Sequence, residues 1–405
     1  YSQIIKSNNR TTLVGLVNNI AMRIENEGKG EFSSMAMQLW ADGALDEALN
    51  IMENADEANV ISTLDQMPLT SDEFITLLSP IADNFRQQIE ETAKELTRLR
   101  FGKTVNLYIP LYLSNHCINN CSYCWFGTDQ NFERKVLSIQ EAREEAKLLY
   151  RVGYRNILLV AGEDPKATSV EYLAEMILLM KEIGFVFVAI ETQIFSTDEY
   201  SKLGAAGLDS VTVYQETYDP ILYSKAHPSG PKRDYMWRIN APDRIAQAGI
   251  RGVSVGVLLG LGDFRREAIT LATHIKHLNK AHWQTSVSAS FPRIHSAPNG
   301  FSSEHAVSDT ELVRLILAMR LTFPDSTLAI STRETPKLRD QLFGMGINQA
   351  SAGSRTSPGG YSGGGAGEQF PVADDRTPME VASAIQDKGL EWVFKDWDIN
   401  FKPIK

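Results

Sequence analysis

Residues 104–124 read TVNLYIPLYLSNHCINNCSYC, and this stretch decides the fold. Thr104 to Leu113 is rich in β-branched, aromatic and apolar residues, the composition of a strand. Cys117, Cys121 and Cys124 follow at CxxxCxxC spacing, so the strand runs into a loop carrying three thiols. Downstream, Ser138 and Glu141 form a capping box, Ala142, Ala146 and Leu149 share one helical face, and Gly153 stands where a C-cap glycine belongs. Asn156 to Val160 (NILLV) then reads as a buried strand. The alternation continues through strand-like runs at Val186 to Glu191, Ser210 to Tyr214, Val253 to Leu259, Gln284 to Ser290, Thr327 to Ser331 and Ile347 to Ser351, with helical patterns between most of them. Counted from Thr104 these make eight strands, the number a closed (β/α)8 barrel requires; propensity alone leaves an open doubly wound sheet as the alternative.

On either side of this α/β barrel, expected over residues 101–358, lie two other segments. Residues 1–100 read as a helical N-terminal extension. Its acidic run from Asp42 to Asp65 suggests solvated helix, and Thr70 with Glu73 makes a capping box that opens helical pattern through Leu99. In residues 359–405, Gly359 to Gly367 reads as flexible loop, and without G-K-[ST] or a preceding strand it is no phosphate cradle. Thr377, Pro378, Glu380 and Gly389 then supply N-cap, N1, N3 and C′ residues for a final C-terminal helix.

With 405 residues, 43% of them hydrophobic, the chain has ample material for a large core. A net charge of -10 argues against a nucleic-acid partner, because phosphate binding needs clustered Lys and Arg. No apolar run approaches the roughly 18 to 20 residues that span a bilayer, and no secretory pattern opens the chain. A cytoplasmic enzyme without membrane contact is expected, although a first residue of Tyr1 rather than Met leaves a removed presequence open.

Three cysteines are an odd number for a disulfide framework, and all three lie within eight residues. Metal binding explains them better. The spacing lets one loop hold three irons of a 4Fe-4S cluster and leaves the fourth without a protein ligand. That open iron is where S-adenosylmethionine (SAM) binds through its amino and carboxylate groups in radical SAM chemistry. Structural zinc is the alternative, but it wants a second Cys or His pair, and His116 beside Cys117 is awkwardly close for a fourth ligand. Tyr123, between the last two cysteines, either packs on adenine or simply packs the loop.

The run from Pro110 to Cys124 (PLYLSNHCINNCSYC) is joined by Ala161-Gly162-Glu163-Asp164, Tyr214-Gln215-Glu216-Thr217-Tyr218, and His227 to Lys232 (HPSGPK). Ser331-Thr332-Arg333-Glu334 and Ser351 to Tyr361 (SAGSRTSPGGY) complete the set. In this order the chain, from about Leu69 onward, resembles the aromatic amino acid lyases of the radical SAM superfamily, most of all their tyrosine lyase branch. The resemblance implies a complete barrel, one 4Fe-4S cluster on Cys117, Cys121 and Cys124, and SAM held at its amino group by Glu163 and at its ribose by Glu216. It implies that Arg333 clamps the carboxylate of an amino acid substrate, with Tyr112 and Ser351 beside it. For tyrosine the products are p-cresol and dehydroglycine (2-iminoacetate), destined for the thiazole of thiamine.

Reduced flavodoxin or ferredoxin is the expected electron donor, and thiazole synthase an expected partner. Cleavage of another amino acid such as tryptophan, or a noncatalytic iron-sulfur scaffold, are the alternatives. Two departures stand out. No cysteine remains outside the cradle, so the second cluster of the family's hydrogenase maturase has no thiols here. Trp125 replaces the family's usual glycine after the third cysteine, which leaves the substrate open. The Lys395 to Asp398 (KDWD) ending resembles the thiazole-pathway lyase, whereas HPSGPK is more like the maturase. Gly256 and Gly260 offer only a weak adenine contact, since glycine in a strand more often serves packing. His274 and His277 read as surface residues with no carboxylate or third histidine nearby.

Overall fold

A computed structural model of the protein describes residues 32–66, 69, 71–298 and 300–394. Thr70 and the KDWD segment lie outside the described residues. The apolar runs fold into β1 (Thr104–Ser114), β2 (Asn156–Ala161), β3 (Phe187–Glu191), β4 (Ser210–Glu216), β5 (Gly252–Val257), β6 (Ser286–Ser290), β7 (Thr327–Ile330) and β8 (Gln349–Ser351). Every pairing is parallel. β1 decides between the two architectures. It is eleven residues long, and it pairs with β8 from Asn106 and with β2 from Ile109, which closes the ring and rules out the open sheet. A short ninth strand, β9 (Glu391–Val393), pairs with Thr104–Asn106 at the foot of β1. Three residues are too few to show a period of two, so the sequence hid it.

The helices between strands begin where their caps predict. Ser138 Oγ accepts from the Glu141 backbone, and the Glu141 carboxylate accepts from Ser138 N at 2.8 Å, opening the helix Ile139–Val152. Gly153 ends it at φ 121°, a conformation costly for any side chain. Thr377 and Glu380 open Pro378–Gln386 in the same way. That helix is capped by Asp387, so Gly389 lies one residue beyond the expected C′ position.

Three expectations need correction. The acidic segment is helical, in Ala44–Glu53 and Glu57–Leu64, but it is not merely solvated: Leu45, Ala48, Met52 and Val60 are buried in the main core. Its charges occupy the outer face while an apolar stripe packs inward. His274 is fully buried, stacked on Phe32 with ring centroids 3.8 Å apart, and His277 is only part-exposed beside Asp243 and His282. The Gly359–Gly367 loop is pinned, because the buried Glu145 carboxylate accepts from Tyr361 N at 3.0 Å and Ser362 N at 2.6 Å. Among the described residues no helix is long and apolar enough to cross a membrane.

β8 is anchored by a buried ion pair. Arg339 and Asp374 are both sealed from solvent, and Arg339 also donates to the Ser351 carbonyl. Arg376 also binds Asp374, at 2.7 Å, so removing Arg339 leaves the buried carboxylate half-compensated and the Ser351 carbonyl without its donor, a loss of about 3 kcal/mol. Arg339→Met is therefore expected to lower the urea midpoint, followed by circular dichroism, far more than Arg143→Met, which removes an exposed pair with Glu182. Equal midpoints would contradict the assignment.

Candidate active site

All eight barrel strands deliver residues to one cavity at their C-terminal ends, the position barrel enzymes use for chemistry. Tyr112 comes from β1 and the three cysteines from the loop after it. Glu163 follows β2, Glu191 and Glu216 end β3 and β4, Leu258 follows β5, Pro292 follows β6, Arg333 follows β7 and Ser351 ends β8. The nine side chains singled out in the sequence all line this cavity. Trp125 does not.

The cysteine loop is stitched to its neighbours by backbone hydrogen bonds, Ile118 N to Glu163 O at 2.9 Å and Ser122 N to Ala226 O at 3.0 Å. Gly162 lets it close: a Cβ there would sit 2.3 Å from the His116 carbonyl oxygen. All three thiols are free, and burial pushes each above the ordinary thiol range, Cys124 to about 11. Buried thiols facing one another become thiolates when a metal group compensates them. Among the described residues the one His, Cys, Asp or Glu trio with ligand atoms all within 4.8 Å of each other is Asp243, His277 and His282, so at least one pair of the three sulfurs is farther apart than that. A single tetrahedral zinc would draw sulfurs to about 3.8 Å from one another. A sulfur pair beyond that reach leaves room for a polynuclear cluster. Asn119 Nδ2 and the Phe126 amide also point hydrogen bonds at Cys117 and Cys124 sulfur, at 3.7 and 3.4 Å.

Around the cradle two carboxylates and two cations are buried together. Glu163 accepts from Asn119 Nδ2 at 2.6 Å and from Arg238 Nη1 at 3.0 Å. Glu216 accepts from Lys232 Nζ at 2.7 Å. Burial works to raise the Glu216 carboxyl, but Lys232 and Arg238 outweigh it and hold the group below its ordinary value. Glu216 is the one described non-glycine residue with positive φ, at 70°, where the β4–β5 register slips between Tyr214 and Glu216. That bulge re-aims the carboxylate into the mouth at a cost of order 1–3 kcal/mol. Glu267 fixes the turn that follows, accepting from Tyr218 N at 2.8 Å and pairing with the Thr217 hydroxyl.

Tyr123 is held by its hydroxyl, 2.8 Å from His227 Nε2. His227 Nδ1 lies 2.7 Å from the Tyr223 carbonyl, which can only accept, so Nδ1 carries the proton and Nε2 receives the Tyr123 hydroxyl. Burial and then Lys232 drive this imidazole down to about 3, so it stays neutral.

Across the cavity the Arg333 guanidinium lies 3.4 Å from the Phe370 ring centroid. Glu334 is not its partner, because that carboxylate binds Arg293 and lies 3.3 Å from His295. No hydrogen bond or ion pair ties the Arg333 side chain among the described residues. Tyr112 donates its hydroxyl to Gln369 Oε1 at 2.6 Å, and Ser351 Oγ accepts from Thr332 N at 3.2 Å. The sequence reading missed Asn119, Glu191, Arg238 and Phe370. Glu191 is raised to about 7 by burial and then by Glu216. Asn119 was visible only as one of the positions between Cys117 and Cys121 that the cysteine spacing leaves unspecified.

These features define a barrel enzyme with a thiol cradle and an arginine, stacked on Phe370, facing one cavity. Residues 111–275 match the model of the Radical SAM superfamily, and residues 290–391 match the Biotin and Thiamin Synthesis associated domain. The chain is 39% identical over 343 residues to the 2-iminoacetate synthase of Escherichia coli (strain K12), covering 84% of this chain and 91% of that protein. The crystal structure of HydG, a maturase of the [FeFe]-hydrogenase, superposes with a TM-score of 0.85 at 28% identity, covering 90% of this chain and 82% of that one. HydG from Carboxydothermus hydrogenoformans gives 0.79 at 29% identity over 94% and 86% of the two chains. The chain belongs to the 2-iminoacetate synthase and HydG family of radical SAM enzymes. Membership implies a 4Fe-4S cluster, SAM and a small-molecule substrate.

Glu267 generates a pH prediction. Burial raises its folded value to about 7 from 4.5. A raised carboxyl stabilises the fold fully below the unfolded value and loses that contribution as pH rises through the folded one. Between about pH 5 and about pH 8 the protein should lose on the order of 2 kcal/mol more stability than Glu267→Gln. Parallel urea titrations check this, and identical pH profiles would contradict it.

Proposed function

We propose that the protein cleaves the Cα–Cβ bond of L-tyrosine to give p-cresol and dehydroglycine for thiamine thiazole synthesis. The observation that carries this reading is that the three thiols and the unpaired Arg333 guanidinium line the same cavity. Cys117, Cys121 and Cys124 hold the cluster. When bound, the cluster and SAM supply a 5′-deoxyadenosyl radical. Glu163 accepts from the SAM amino group, and Glu216 from the ribose hydroxyls. Both carboxylates already sit in charged hydrogen-bond networks that fix their direction. Tyr123 is the adenine-side aromatic, braced by neutral His227.

Arg333 grips the substrate carboxylate. A guanidinium 3.4 Å over the Phe370 ring, with no hydrogen bond or ion pair of its own among the described residues, keeps its N–H fork available for bidentate binding. Tyr112 and Ser351 flank the amino-acid end, each with its hydroxyl already engaged in a network that limits rotation. The relation to 2-iminoacetate synthase at 39% identity supports tyrosine as substrate. The reading includes a cytoplasmic enzyme reduced by flavodoxin or ferredoxin, since thiols persist in reducing compartments. Dehydroglycine is an unstable imine, which favours handover to thiazole synthase.

Anaerobic reconstitution with iron and sulfide, then SAM and reductant with either tyrosine or tryptophan, tests the reading. 5′-Deoxyadenosine with p-cresol is expected from tyrosine. Deoxyadenosine without p-cresol would overturn tyrosine as substrate. Arg333→Ala should keep the cluster absorbance while losing turnover by about 10²-fold or more, a positioning loss. Full activity in that variant would remove the clamp.

A further inference from the structure

Away from the barrel mouth, Asp243, His277 and His282 converge in the outer helical layer, with their ligand atoms all within 4.8 Å of one another. We propose that this trio is a structural site for one divalent transition-metal ion, with zinc as its first occupant. Asp243 lies in the helix Ala241–Gln247, before β5, and His277 in the helix Phe264–Ala281, before β6. His282 ends the second helix at φ -131° and ψ 53°, leaving helical geometry so that a residue five positions on from His277 returns to the same carboxylate.

Both imidazole Nε2 atoms sit 2.8 Å from Asp243 Oδ1, and the three side chains are 13–17% exposed. Hydrogen bonding alone accounts for this poorly. Both contacts go to one oxygen, while Asp243 Oδ2 is buried with no partner. An orphaned buried carboxylate oxygen forfeits its hydration, and native structures rarely leave one so. A cation held by both rings and the Asp243 carboxylate compensates the charge that Oδ2 carries without a donor. The rings accept it as neutral imidazoles by carrying their protons on Nδ1.

The donor set selects the ion. Two imidazole nitrogens and one carboxylate oxygen suit zinc or ferrous iron over magnesium or calcium, which prefer all-oxygen shells. Zinc bonds of about 2.0–2.1 Å place tetrahedral donors about 3.3 Å apart, so each His–Asp pair needs to open by about half an ångström. Among the described residues no side chain donates to Asp243 Oδ2. Arg244 is turned outward, stacked on Trp237 at 3.7 Å and donating to the Trp237 and Phe195 carbonyls. His274 is engaged at Nδ1, 2.7 Å from the Tyr218 hydroxyl, with its ring against Phe32, while its buried Nε2 has no partner.

None of the trio lines the mouth cavity, which makes the site a clip rather than a reaction centre. It joins two barrel helices at the point where the N-terminal extension docks, since Phe32 also lies 5.5 Å from the His277 ring. The test uses cluster-loaded enzyme equilibrated with zinc sulfate, desalted, and analysed for zinc, iron and sulfide together with zinc X-ray absorption. About one zinc per chain with nitrogen and oxygen neighbours and no sulfur is expected. His282→Ala and Asp243→Asn should each lose that zinc with iron and sulfide unchanged, and zinc should raise the melting temperature of the parent alone. Asp243→Asn preserves side-chain shape, so it reports even if the alanine variant folds poorly. Zinc absent from the parent, retained in Asp243→Asn, or bound through sulfur would overturn the site.

Discussion

Everything at the mouth depends on the parallel pairings of β1. One long strand closes the barrel by serving β8 along its lower half and β2 along its upper half, and the loop leaving it carries all three thiols. Because the loop is tied by backbone bonds to the end of β2 and to the segment after β4, the cradle's shape is inherited from barrel closure rather than from the loop's own sequence. A change that loosened β1 would move the thiols and the carboxylate after β2 together.

Charge is the second organising constraint. Glu163 and Glu216 are balanced by Arg238 and Lys232 with almost no solvent, an arrangement whose desolvation cost is repaid only when every partner is present. Asn119 joins this network to the cradle, since its amide spans Glu163, the Lys232 backbone and Cys117. The left-handed backbone of Glu216 adds local strain that the Glu267 contacts to the next turn hold in place. Such preorganisation suits a site that must bind a charged sulfonium cofactor without rearranging.

Much of this was legible in the sequence, for identifiable reasons. The eight strands are continuous apolar runs because parallel barrel strands are buried on both faces, and capping boxes such as Ser138 with Glu141 fix where helices start. The cysteine spacing and the residues at strand ends pointed to the cavity directly. What escaped was information held between distant segments. Arg238 and Phe370 reach the mouth from positions without a local pattern, and β9 is too short to announce itself. The burial of His274 depends on Phe32, more than two hundred residues earlier, and the Asp243 trio exists only once two helices pack side by side.

The central claim is that three thiols hold a cluster with one iron left open for SAM. Electron paramagnetic resonance of the anaerobically reconstituted and reduced protein, recorded with and without SAM labelled at its carboxylate oxygens, tests it most directly. The account predicts a reduced 4Fe-4S signal that shifts on SAM addition and broadens with the oxygen label. A signal indifferent to SAM, or a colourless protein carrying zinc on its cysteines, would contradict it.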